Sequence, residues 1–452
     1  MDETRKSDFP QPSAAPQWTQ DCFAAPKPPF TASRTEQLAA LLMYVLAFLY
    51  TSALFCAPGA QWWLGAFTVG FVLLAEFLYR DVPRAKESWL WLACVALVLA
   101  GCIYDAQLVA AANAANLPAP ERALPDGLRL LCLHGFAVYW AMCRAGRLSG
   151  GQSGHLLPLD ALCALLILPF SNFFLRIRCA AHALRRKKDT QPSAGRMAAG
   201  VLAAFVVLVL LSMAMTQLST ADSAFAQLLS QLRLAVLPQW DVELVLRLIV
   251  SVPVGAYVFG LLGGLGRTTQ TAMRERGEKT LTALEKLRAV TPGVWLVALG
   301  LFCALYLAFF CVQARYLFGA FTRTLPQDFT VAQYARQGFF ELCRVMAINF
   351  TLFWLITRTT RADAGATEKK LMRWLCAALL VESMLFAVVA LSKLGLYISC
   401  FGFTPRRLQS TWLACVLLGA GAAALYTHLT GRRSMRAWMA FAALSLSVLC
   451  LL

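Results

Sequence analysis

Eight ionisable side chains lie inside long apolar runs of this chain, where charge is costly and often functional. They are Glu76, Asp105, Arg129, Arg247, Glu341, Arg344, Glu382 and Lys393. Most have a structural explanation. Glu76 can pair with Arg80 four residues on, and Glu341 with Arg344 three residues on. Asp105, Arg247 and Lys393 are near the ends of their runs, so they can reach the polar boundary.

Glu382 is the exception, because it lies near the middle of LCAALLVESMLFAVVALSK with no basic residue within four positions. Its carboxyl group must face the interior of a helix bundle, a water-filled cavity, or a cation such as Arg247 or Arg344 on another helix. Burial also favours its protonated form. Two roles stay open: a functional one in proton coupling or ligand contact, and a structural bond between helices.

The elements that carry these side chains are apolar runs of about 20 residues, the length that spans a bilayer as a helix. Of the 452 residues, 59% are apolar and 14% are charged, against about 25% charged in a typical soluble domain. Mean hydropathy is +0.60. The composition excludes an ordinary soluble enzyme and a disordered chain. It predicts an all-α, polytopic helical membrane protein with 11–12 transmembrane helices. The runs are 38–57, 61–79, 89–111, 127–143, 157–175, 198–218, 243–265, 293–313, 338–357, 371–392, 409–428 and 434–452.

The basic residues predict the orientation, because lysine and arginine collect in cytoplasmic loops. Segments 176–197, 266–292, 358–373 and the loop with Arg432 and Arg433 are basic and are therefore expected inside, and loops 219–242, 314–337 and 393–408 outside. The same bias explains the net charge of +17. No basic stretch is long enough for a nucleic-acid-binding domain, so no nucleic-acid partner is expected.

Residues 1–37 form a polar, Pro-rich tail that is expected to be disordered, with the membrane domain over 38–452. Five apolar runs precede the inside loop 176–197, which would place the N-terminus outside. However, a polar tail without a signal sequence is more simply explained if it stays on the cytoplasmic side. We therefore predict that 157–175, which carries Asp160, Pro158 and Pro169, is a re-entrant or interfacial helix, leaving eleven spans.

Metal and cofactor motifs are absent from the sequence. The 15 cysteines include no CxxC pair, and the four histidines lack ligand spacing, so no metal and no cofactor are expected. No phosphate loop, zinc-protease helix or nucleophile elbow occurs, which lowers the enzyme hypothesis. Gly260 and Gly264, and the Ala/Gly run 418–424, predict close packing between helices.

Arginine and tyrosine side chains gather in the predicted outer loops. The cluster consists of Arg315, Tyr316, Arg323, Tyr334, Arg336, Arg406 and Arg407. Such residues can anchor a protein at the lipid headgroups. They can equally line a mouth that admits an anionic or lipid-like ligand, and both interpretations stay open.

Parts of the chain resemble the bacterial polytopic membrane proteins of domain of unknown function 4173 and its relative numbered 4153. The resemblance lies in LSTADSAF (218–225), in the helix end LYLAFFCVQARYLFGA, and in YARQGFFELCRVMAIN with Tyr334, Arg336, Glu341 and Asn349. FGFTPRR keeps Gly402, Thr404 and Arg407 but has Phe401 and Phe403 where tyrosine and leucine are usual.

The resemblance covers 198–452 well and leaves 38–175 as a variable part. It implies a multi-pass protein of the bacterial cytoplasmic membrane, without an established activity and without catalytic residues to carry over. Members of the family continue past the last span. The chain is therefore expected to be shortened there, or to be a piece of a longer protein.

These observations give three functional hypotheses for a protein embedded in the lipid bilayer. The first is a transporter-like protein that handles or senses a small-molecule or lipid-like ligand at its outer face. The second is a scaffold that docks a protein through loops 176–197 and 266–292, and the third is a lipid transferase. The predicted ligand-binding residues are Glu382, Arg336, Tyr334, Glu341, Arg344 and Arg407.

Overall fold

The computed structural model describes residues 30–55, 59–118, 121–184, 242–317, 339–361, 363 and 365–452. Within these residues the regular structure is helical, apart from one isolated bridge between Val290 and Thr360. The first half contains α1 (Arg34–Phe55), α2 (Ala60–Leu78), α3 (Glu87–Ala114), α4 (Asp126–Arg144), α5 (Leu157–Leu162), α6 (Leu168–Ser171) and α7 (Leu175–Leu184). The second contains α8 (Val242–Arg267), α9 (Gln270–Glu285), α10 (Pro292–Leu317), α11 (Phe339–Thr359), α12 (Ala366–Phe401), α13 (Pro405–Thr430) and α14 (Met435–Leu451).

Eight of the described helices are long and apolar enough to cross a membrane. They are α1, α2, α3, α8, α10, α11, α12 and α13. Helix α14 is apolar but has only 17 residues, and α4 carries Asp126, Arg129 and Arg144. The all-α, polytopic membrane fold predicted from composition is confirmed, while the predicted run 198–218 lies outside the described residues.

The described parts of the basic loops lie together on one face of the bundle, which we call the basic face. Arg267 pairs with Glu36 at the start of α1, at 2.8 Å. Arg436 pairs with Glu87 at 3.2 Å, and the amide of Val290 donates to the carbonyl oxygen of Thr359, the last residue of α11. Residues at the other ends of these helices form the opposite face. The start of α1 therefore shares a face with the basic loops.

The segment 157–184 is bent rather than straight. A π-helical turn at Cys163–Ile167 joins α5 to α6, and the helix axis turns by 52° before α7. Asp160 near its beginning accepts a bond from the Ser149 amide on the basic face at 3.0 Å. His182 near its end lies 3.1 Å from the amide nitrogen of Gln37 on the same face. Contacts of both ends with the basic face favour a re-entrant segment over a crossing.

The predicted glycine contacts are confirmed. A methyl group on Gly260 would lie 2.5 Å from the carbonyl oxygen of Pro169, and one on Gly264 would lie 2.7 Å from the Asn172 amide. In the run 418–424, a methyl on Gly421 would lie 2.9 Å from Met384. Helix α8 can approach the bent segment because these positions carry no side chain.

Two hydrophobic cores form within the described residues. The first lies among α1 to α8 and includes residues of α14, and the second lies among α10, α11, α12 and α13. Helix α14 follows α13 in sequence, but its buried Leu449 and Cys450 belong to the first core. The last helix therefore ties the two parts of the bundle together.

Helix α12 is longer than predicted, and this corrects two expectations. It continues through Lys393 to Phe401, so the loop predicted at 393–408 begins only at Gly402, whose φ of 76° ends the helix. Lys393 is 1% exposed, so its side chain lies inside the bundle rather than at the membrane boundary. The apolar residues that follow Lys393 can still pack as a helix, and an apolar-run count misses this extension.

Candidate ligand site at the opposite face

A cavity of about 560 Å³ opens among the opposite-face ends of α1, α2, α3 and α4. Two long helices end there and two begin there, so the short connections leave space between the helix ends. Its apolar wall includes Tyr50, Leu54, Leu64 and Val109. Its polar wall consists of Gln61, Asp105, Asn113, Arg122, Asp126, Arg129 and His134.

A chain of four charged groups forms the polar wall. One Asp105 oxygen lies 2.9 Å from Nε of Arg122, and the other lies 3.2 Å from Nη1 of Arg129. Arg122 also pairs with Asp126 in the first turn of α4. The side chain of Arg129 is 3% exposed and that of Asp105 is 13% exposed. The four charges sum to zero, which offsets much of the cost of burying Arg129 in an apolar bundle.

Three nitrogen atoms at this cavity have no hydrogen-bond partner among the described residues. They are Nε2 of His134 and both Nε and Nη1 of Arg129, of which Nη1 lies 3.2 Å from Asp105 as an ion pair only. The other ring nitrogen of His134 contacts the Leu130 carbonyl oxygen at 2.6 Å, and Tyr50 packs edge-on against the ring. A buried guanidinium with an unfilled donor strongly favours an oxygen acceptor, above all a charged one. The wall of this cavity therefore carries buried nitrogen donors that the described residues leave without an acceptor.

Sequence reasoning identified Asp105 and Arg129 as intramembrane charges but did not bring them together. Asp105 was expected to reach the outer interface, whereas Arg122 and Arg129 enclose it. The pairing was missed because the partners lie on other elements, and Arg122 stands in a connection that no apolar run includes. The sequence did offer one signal for this pairing, because Asp105 and Arg129 carry opposite charges and are predicted at the same depth in the membrane.

A second polar cluster connects α10, α11 and α12 inside the second core. Tyr306 donates from its hydroxyl to Oδ1 of Asn349 at 2.7 Å, and Asn349 donates from Nδ2 to Ser383 at 2.8 Å. Asn349 and Ser383 are 0% and 1% exposed. Tyr306 and Asn349 both stand in the stretches that carried the family resemblance. Their shared bond shows that those stretches meet in space.

Glu382 lies next to this cluster, one residue before Ser383. Its carboxyl group lies beside the Cys303 thiol of α10, and its Oε2 has no hydrogen-bond partner among the described residues. Neither proposed cation partner reaches it. Arg247 pairs with Glu243 on its own helix, and Arg344 pairs with Glu341. Glu382 thus faces the space between two helices of the second core.

The remaining predicted site residues do not form one cluster in the described structure. Glu341 and Arg344 are 3.9 Å apart, with 62% and 73% of their side chains exposed, which makes this a weak surface pair. Arg407 donates to the Phe401 carbonyl oxygen at 2.8 Å and stacks on Tyr397 at 4.2 Å. It therefore caps the end of α12. Tyr334 and Arg336 lie outside the described residues.

The predicted pairing of Glu76 with Arg80 is wrong. Glu76 accepts from Nε of Arg144 at 2.8 Å and also pairs with Arg84, while Arg80 lies 3.6 Å from Asp81. Tertiary packing overrides the spacing rule here, because α4 brings the 5%-exposed Arg144 side chain against α2. Glu76 therefore holds two helices and a loop together at the basic face.

Comparison with known proteins shows to which family the chain belongs. Residues 108–452 match the family described as a domain of unknown function, DUF4153. The chain belongs to this family. The resemblance to the family numbered 4173 stays a prediction, and no curated protein or solved structure matches the chain significantly.

The match extends the resemblance noted in the sequence toward the N-terminus. It begins at residue 108 rather than near 198, so it includes Arg122, Arg129 and His134 as well as Glu382. Asp105 stands three positions before the matched region, on the same helix. Eight of the 18 residues that line the opposite-face cavity in this DUF4153 member thus lie in the matched region, and they include both of its arginines.

Proposed function

We propose that this protein binds a small polar or lipid-like ligand in the opposite-face cavity and handles it as a transporter-like protein. The observation that carries the proposal is the buried Arg129 with an unfilled Nε donor on the wall of a 560 Å³ cavity. In the bacterial cytoplasmic membrane, the positive-inside bias would turn this cavity to the outside.

The energetics of Arg129 support a ligand rather than a purely structural role. Asp105 is shared between Arg122 and Arg129, so each guanidinium receives one carboxylate oxygen. An unfilled buried donor costs about 1–3 kcal/mol. An incoming oxyanion would recover this cost at no expense to the existing ion pairs, because the Nε atom is not used by them.

The test compares Arg129→Gln with Arg344→Gln, an exposed arginine on α11 that the sequence had placed in the ligand site. Each protein is purified in native-like lipid particles from its own host and examined by native mass spectrometry. A small-molecule or lipid adduct is expected on wild type and on Arg344→Gln. It should fall about tenfold or more on Arg129→Gln, since one charged hydrogen bond contributes about 1.5–3 kcal/mol.

Three outcomes would contradict the proposal. Loss of the adduct only from Arg344→Gln would move the site to the exposed cluster predicted from sequence. A co-purifying protein without any adduct would favour the scaffold that docks through loops 176–197 and 266–292. An adduct equal in all three proteins would remove Arg129 from binding. Arg129→Lys, which retains the charge beside Asp105, separates loss of binding from loss of folding.

Within the same proposal, Glu382 is the group that couples ligand movement to a proton. Its free carboxylate oxygen lies between α10 and α12, where a change in protonation would alter helix contacts. Glu382→Gln is expected to retain the adduct but abolish proton-dependent flux of that ligand into proteoliposomes. Ser383→Ala, at the neighbouring buried position, is the control and should retain flux. Unchanged flux in Glu382→Gln would leave this residue a structural role only.

A further inference from the structure

A second cavity lies at the basic face, where α11 and α13 end and α12 begins. Its volume is about 460 Å³. We call it the basic pocket, after the cationic residues and the histidine that line it, which are Arg288, Arg361, Lys369, Arg373 and His428. None of the described carboxylates lines it. It therefore differs from the opposite-face cavity, whose charges balance.

Three of its four formal positive charges have no carboxylate partner within the described residues, and one of these three donates to a backbone carbonyl oxygen. Arg361 pairs with Asp363 at 2.6 Å, and Arg373 donates to the Leu429 carbonyl oxygen at 2.5 Å. Arg288 and Lys369 form no ion pair with any described carboxylate. These two side chains are exposed, and both line the pocket.

The wider surroundings are also positive. Partial burial, and then the charges of Arg358 and Arg433, lower the pKa of the nearby His155. The contributions of Arg358 and Arg433 to this lowered pKa place both arginines close enough to His155 to act on its charge.

The other wall of the pocket is apolar. It includes Ile356 at the end of α11, together with Met372 and Cys376 on α12. Next to it, Leu371 and Trp374 are 48% and 64% exposed. Exposed tryptophan beside an apolar helix surface is typical of the boundary between headgroups and acyl chains. The pocket thus combines cationic side chains with exposed apolar ones, as a site at the boundary between headgroups and acyl chains requires.

We propose that the basic pocket binds the phosphate of an anionic phospholipid from the membrane leaflet on this face. The headgroup would contact Arg288 and Lys369, and an acyl chain would follow Ile356 and Met372. Lysine and arginine attract anionic lipids at a membrane surface, and guanidinium groups match phosphate oxygens. The proposal uses none of the residues of the opposite-face cavity, so each can fail without the other.

The test uses the full-length protein in detergent, titrated with phosphatidylglycerol or phosphatidylcholine and followed by native mass spectrometry. The pocket variant is Arg288→Gln with Lys369→Gln. The control is Lys286→Gln with Lys370→Gln, which removes the same charge from the same two segments outside the pocket. One tightly held phosphatidylglycerol is expected on wild type and control. Its affinity should fall about thirtyfold in the pocket variant, since each cation near an anionic lipid contributes about fivefold.

A second readout tests the same point in the folded protein. Phosphatidylglycerol should raise the melting temperature of wild type and control more than that of the pocket variant, while the three should melt together in phosphatidylcholine. Equal losses in pocket variant and control would show general surface attraction and overturn the site. Equal binding of phosphatidylcholine would also overturn it. Displacement of the lipid by millimolar glycerol phosphate would identify a soluble phosphate ligand instead.

Discussion

Replacing Gly101 with valine is expected to detach the last helix from the bundle and lower the free energy of unfolding by about 3 kcal/mol, at the upper end for an overpacked interior. A Cβ atom at this position would lie 2.3 Å from the carbonyl oxygen of Cys450 and 3.0 Å from the Cα of Leu451. Both are backbone atoms, so no side-chain rotation relieves the clash. Helix α14 would have to move away from α3 and expose Leu449 and Cys450 of the first core.

The control for this substitution is Gly300→Val in the middle of α10, where nothing lies within 4 Å of the added Cβ. It should melt at the wild-type temperature or slightly above, because valine is a better helix former than glycine. Melting is followed by size-exclusion chromatography of heated detergent samples. If Gly101→Val melts together with Gly300→Val, the contact between α3 and α14 is wrong.

The second large effect is expected from Glu76→Ala, which removes the carboxylate held between Arg144 and Arg84. The Arg144 side chain is 5% exposed and would keep only its bond to the Val82 carbonyl oxygen at 3.0 Å. Removing one partner of a buried ion pair costs about 3–5 kcal/mol, because a charge is left without compensation. The expected result is a large fall in melting temperature, measured as above.

Asp81→Ala is the matched control, since it removes an aspartate whose side chain is 88% exposed next to Arg80. An exposed pair contributes about 0–1 kcal/mol, so little change is expected. Adding Arg144→Met to Glu76→Ala should recover part of the loss, because the uncompensated charge is then gone. Equal effects of Glu76→Ala and Asp81→Ala would contradict the burial of this cluster.

The charge pairs of this protein show why local sequence rules predict only some of its contacts. Spacing on one helix paired Glu341 with Arg344 correctly, but that pair is exposed and weak. The same rule failed for Glu76, whose partners come from α4 and from a loop. Asp105 looked explicable alone, as a residue near the end of its apolar run, and Arg129 had no predicted partner. The two residues line the candidate site together because α3 ends and α4 begins at the same point of the opposite face.

The sequence by itself determined that this protein is an all-α membrane protein, because apolar runs of spanning length leave a bilayer as their only suitable solvent. It also determined the glycine contacts of α8, since small residues one turn apart permit close approach on any partner helix. Only the tertiary structure decided which charges share a cavity, where α12 ends, and that α14 returns to the first core. Those outcomes depend on contacts between residues far apart in the chain, and no local period encodes such contacts.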